Sequence, residues 1–176
     1  MATDQEIRTA LERTRKAFEL RPGIAKGTMK TNLRLEDGVK CISRYGDWQF
    51  EVDEPVSVGG DNSAPSPGIY GLTALSGCVA MSIKGQAALD GMLINAIDVE
   101  VEADYDDRGM FAIDDIPPGF LEFRLKIDVD TPASKEEVRK ITERALTFST
   151  WFHVFTHAQS VTADISVNGA AVPAAE

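Results

Sequence analysis

Two cysteines and two histidines are the side chains of this 176-residue sequence whose types suit covalent or metal chemistry. Cys78 lies inside PGIYGLTALSGCVAMSIK, residues 67–84, an apolar run of small side chains with one charge at its end. A thiol attacks as its thiolate, and apolar surroundings push its pKa up. A reactive Cys78 therefore needs a cation brought to it from elsewhere in the fold. The dipole of its own helix is no substitute, because at ~1.5 Å per residue Cys78 lies roughly 16 Å from the start of that helix. The plainer reading is a buried cysteine packed among Ala74, Val79 and Met81. Cys41, between Lys40 and Ile42, shares a strand face with Val39 and Ser43 and reads as a small filler. His153 and His157 have the i, i+4 spacing of a helical metal site, but no acidic ligand accompanies them and no metal is expected. Gly59-Gly60 lacks the GK[ST] or GxGxxG context of a phosphate loop.

The elements that must position these groups follow from pattern. Thr3 and Glu6 form a capping box for a helix carrying Ile7, Ala10, Leu11, Thr14 and Phe18, which Pro22 and Gly23 stop. Short strands are predicted at about 26–36, 39–45 and 48–53 as an antiparallel meander, with turns at Asp37-Gly38 and Tyr45-Gly46-Asp47. Residues 54–66 read as an irregular loop. Pro67 suits the first position of the helix bearing Cys78, which is apolar nearly all round and is expected to be buried on every side. Gly85 or Gly91 ends it. Ile97, Val99, Val101 and Ala103 then alternate with acidic residues, and Leu121, Phe123, Leu125, Ile127 and Val129 alternate with Glu122, Arg124, Lys126 and Asp128. Each reads as a strand with one wet face. Ser134 and Glu137 cap a helix with Val138, Ile141, Ala145 and Phe148 on one stripe. An aromatic stretch (Trp151, Phe152, Phe155) precedes a last strand at 161–167. With no βαβ repeat, the fold class is α+β.

Composition narrows the partners. The chain has 28 acidic against 18 basic residues, a net charge of −10, which argues against nucleic acid and against anionic membrane surfaces. No apolar run approaches the ~20 residues of a membrane span, and the charged N-terminus lacks a secretory h-region. A single soluble, cytoplasmic domain is expected.

Two stretches carry a resemblance. VDEPVSVGGDNSAPSPGIYGLTALSGC (52–78) and ERALTFSTWFHVFTHAQSV (143–161) resemble the OsmC/Ohr family, the osmotically inducible and organic hydroperoxide resistance proteins. The similarity covers most of the chain, 26–168, leaving 1–22 as a helical extension and 169–176 as a loose tail on one OsmC-like domain, 1–176. The resemblance implies an OsmC-like fold of antiparallel sheets around a buried central helix. It also implies an intertwined homodimer with sites at the subunit interface. It further implies peroxidase chemistry without a cofactor: Cys78 attacks an organic hydroperoxide, and an external thiol is the reductant. Arg44 matches the activating Arg of the family better than Arg34 does, and Asp61 lies near the position of its activating Glu. Ser149-Thr150 stands where the family has the Cys-Pro step that supplies a resolving cysteine. That leaves resolution to an external thiol or to Cys41, or else a non-catalytic protein that keeps the pocket to bind a small apolar molecule.

Overall fold

The computed structural model describes residues 1–172. Both capping boxes form, with the Ser or Thr hydroxyl and the Glu carboxylate bonding reciprocally to backbone, at the start of α1 (Asp4–Leu20) and of α4 (Lys135–Phe148). Strands β1 (Asn32–Arg34), β2 (Cys41–Tyr45) and β3 (Trp48–Val52) make the expected antiparallel meander, with Arg44 opposite Asn32 on one side and Gln49 on the other. The first strand is much shorter than 26–36. In a single chain only its last residues find a ladder partner, and Pro22–Ala25 form a 3-10 turn upstream.

Helix α2 (Pro67–Asp90) begins at the predicted proline and runs through Gly85 to Gly91, which closes it at φ 72°. A left-handed residue at that position lets the last turn satisfy its carbonyls, and glycine adopts it without a Cβ clash. Leu75, Val79, Ile83 and Ala87 recur every fourth residue and are buried. Burial of each large side chain in that stripe stabilises the fold by roughly 1.5–3 kcal/mol.

The expectation that α2 is buried on every side is corrected. Ile69 and Met81 are exposed at 52% and 72%, because one chain leaves part of the helix surface uncovered.

The covered face packs on α4 and on the antiparallel pair β4 (Ala96–Asp104) and β5 (Glu122–Asp130). Ile97, Val99, Val101, Leu125, Ile127 and Val129 turn inward as their alternation requires. Leu121 does not, since it precedes the strand and is exposed. The connection 105–121 contains a single helical turn, α3 (Asp107–Met110).

After α4, Ser149 interrupts the chain for one residue and α5 (Thr150–Thr156) follows. The last strand is confined to β6 (Ile165–Val167) and pairs with β7 (Ala170–Val172), so the start of the expected loose tail is a hairpin. Residues 173–176 of that tail lie outside the described residues. The α+β class and the antiparallel sheets around a central helix hold, while β1–β3 and β6–β7 stand as separate, exposed sheets.

Candidate active site

The packing of α4 and α5 on α2 decides what surrounds Cys78. Ser149 ends α4 and is the N-cap of α5, and the close approach to α2 leaves it only 1% exposed. A buried hydroxyl needs partners. Its oxygen accepts the Phe152 N–H at 3.4 Å, and its O–H donates to Cys78 Sγ at 3.2 Å.

Burial pushes the Cys78 thiol up, but the Ser149 hydroxyl, the N–H groups of Trp151 and Thr150, and the Ser82 hydroxyl together outweigh it. The net shift is below the ordinary thiol value. The sequence called for a cation; the chain supplies instead the first turn of another helix, whose unpaired N–H groups carry partial positive charge.

Sequence reasoning registered Ser149 only as a missing cysteine and so missed its part at the sulfur. A signal was present: a Ser placed to cap the aromatic stretch after α4 aims that helix start at whatever packs against it.

Cys78 opens onto a cavity of about 550 Å³, within the ~300–1,000 Å³ of small-molecule sites. Leu11, Met81, Leu89, Phe148 and Trp151 make its apolar walls; Thr73, Ser82 and Gln86 add polar groups. Trp151 continues into an aromatic series, with Phe155 at 6.2 Å and Phe123 edge-on to Phe155 at 4.8 Å.

Neither Arg44 nor Asp61 lines this cavity within one chain. Arg44 lies exposed on β2, outside the sheet's two ion pairs, Arg34–Glu36 and Lys40–Glu51. The Asp61 N–H is held by Asp53, the buried centre of the loop before α2. The Asp53 carboxylate accepts from the Glu54 N–H at 2.8 Å and from the Ser63 N–H and hydroxyl at 2.8 and 2.9 Å. Led by the Ser63 N–H, these donors hold Asp53 below the usual carboxylate range. The loop expected to be irregular is therefore tightly organised. Gly60 presses so close to the Glu54 carbonyl that a Cβ there would collide with its oxygen.

Cys41 is a free thiol on β2, opposite Val52, and is not among the cavity residues. His153 and His157 stack at 4.1 Å as α5 ends, and among the described residues no cluster of three metal-ligating side chains forms. No described helix is long and apolar enough to cross a membrane.

The fold is shared with known structures. An OsmC-like protein from Mycoplasma pneumoniae aligns with TM-score 0.65 at 14% identity, covering 74% of this chain and 89% of that one. An organic hydroperoxide resistance protein OsmC from Legionella pneumophila aligns with TM-score 0.52 at 13% identity, over 73% and 89%. An OsmC-like hydroperoxide resistance protein from Jannaschia aligns with TM-score 0.50 at 16% identity, over 82% and 95%. No curated protein matches the chain. The model of the family described as OsmC-like protein matches residues 60–164, more than half of the 176, and spans both the helix that carries Cys78 and the Ser149 that bonds it. On that match and this fold, the chain belongs to the OsmC/Ohr family of OsmC-like proteins.

Proposed function

We propose that the protein reduces organic hydroperoxides through Cys78 and an external thiol. The observation that carries this reading is the buried Ser149 hydroxyl donating to Sγ where α5 begins, beside an apolar-walled cavity. The Cys78 thiolate attacks the distal oxygen of the peroxide. The O–O bond breaks, the sulfur is oxidised to sulfenic acid, and the departing alkoxide takes a proton from water to give the alcohol. A thiol then condenses with the sulfenic acid, releasing water. A second thiol opens the mixed disulfide and restores Cys78. A reducing cytoplasm would supply both.

The reading includes a homodimer. Leu33, Trp48 and Phe50 of the meander are exposed at 55%, 69% and 41%, an unusual apolar load for a sheet that faces water. A second copy would cover that sheet and the open face of α2. It would also bring Arg44 toward the partner's thiol, where a guanidinium would favour the thiolate.

A second reading, a non-catalytic pocket for a small apolar molecule, is favoured by the absence of any Arg from the cavity lining and by Ser149 in place of the family's resolving cysteine.

Consumption of cumene hydroperoxide with dithiothreitol or dihydrolipoamide decides between them. Turnover that disappears in Cys78→Ser supports the peroxidase. No turnover above buffer, with Cys78 still a free thiol afterwards, leaves the pocket reading.

A further inference from the structure

The lining of the cavity beside Cys78 extends along α2. Its floor is one stripe of α2, from Thr73 past Cys78 to Gly85 and Leu89, about 24 Å of helix at ~1.5 Å per residue. Past the sulfur the floor is low, because Gly85 has no side chain. Leu11 seats itself on that glycine and closes the distal end, its Cδ1 standing 3.4 Å from where a Cβ at Gly85 would lie. Leu11 belongs to α1, which precedes the 60–164 matched by the family model. Helix α1 is held in place by Asp4, paired with Lys84 of α2 at 2.7 Å, while Lys84 also donates to the Ile94 carbonyl at 3.0 Å. No residue of α1 is buried.

We infer that α1 is a specificity element of this chain. Leu11 closes the distal end of the groove and sets the length of apolar tail that can accompany a reacting group to Cys78. The inference rests on Cys78 being the reacting group of the proposed function, but it concerns which molecules reach the sulfur and not what happens there. A peroxide with a short substituent occupies only the part of the groove beside Cys78; a long, flexible alkyl tail runs along α2 until it meets Leu11, seated on Gly85. A larger side chain at position 11 shortens the groove and a smaller one lengthens it.

The test uses the full chain and two alkylating probes that differ only in tail length, N-ethylmaleimide and N-dodecylmaleimide. Labelling of Cys78 is followed by mass spectrometry in wild type, Leu11→Ala and Leu11→Trp. The expected result is a long-to-short rate ratio that falls about tenfold in Leu11→Trp and rises in Leu11→Ala, with the pH profile of N-ethylmaleimide labelling unchanged. The ratio of turnover with long-chain alkyl hydroperoxides to turnover with tert-butyl hydroperoxide should shift in the same sense. Ratios equal in all three proteins, or rates that fall together for both probes, would overturn the inference. Probe ratios that shift in a protein that consumes no peroxide would sustain the tail-length role while removing the peroxidase.

Discussion

At the scale of single residues, the thiol and its hydroxyl partner form a unit. Ser149 donates to sulfur while accepting from Phe152, so its orientation is fixed by the same turn that starts α5. Removing it in Ser149→Ala takes away a hydrogen bond to the charged form, and iodoacetamide labelling of Cys78 at neutral pH should slow by about tenfold. The sign follows from the shift: donors stabilise the thiolate, so their loss returns the thiol toward its ordinary value and less thiolate is present at a given pH. The contrary result, faster labelling, would mean that the Ser149 hydroxyl shields the sulfur from the reagent rather than activating it.

The 3.2 Å separation also makes Ser149→Cys informative. A sulfur at that position is close enough for a disulfide after small side-chain adjustment. Mild peroxide should therefore join Cys78 to the introduced thiol within one chain, visible as the loss of two free thiols. The helix around Cys78 was readable from its apolar pattern. The partner of Cys78 was not, because it lies 71 residues away and its meaning depends on how α5 packs.

At the scale of elements, the segments that could be read in advance were those whose local chemistry and burial agree. Capping boxes, Pro67 at the start of α2 and the alternation of β4 and β5 each point to one structure, and each forms. The loop before α2 was opaque, since its order comes from a side chain bonding backbone up to ten positions away. A buried aspartate as the hub of that loop makes it sensitive to acid. Its folded pKa is depressed, so the stability it contributes is present above the unfolded carboxylate value of about 3.9 and is lost as pH falls through the lower folded value. Thermal melts of wild type and Asp53→Asn should differ clearly at neutral pH and converge as the pH drops below about 4. A constant gap across that range would assign the effect to packing rather than charge.

At the scale of the whole molecule, the α+β class was legible because helices and antiparallel strands occur without βαβ alternation, but the extent of burial was not. A helix apolar on all sides predicts neighbours on all sides, and one chain leaves part of it, at Ile69 and Met81, uncovered. If a second copy covers the remainder, sedimentation will give twice the 19.1 kDa of the chain. Trp48→Asp, which puts a charge on the exposed meander, should then shift the protein toward monomer and reduce turnover while Cys78 remains intact. A stable wild-type monomer would remove the proposed homodimer, and with it the route by which Arg44 reaches the sulfur.

The separate sheets also bear on the order of assembly. The unit of α2, α4, β4 and β5 closes its core within one chain, whereas β1–β3 and β6–β7 have little of their own chain to pack against. If a second copy covers them, as proposed, the molecule would acquire its structure in two stages of different kinetic order. The first would depend on the chain alone and the second on how often two chains meet, so dilution would slow the second stage and spare the first.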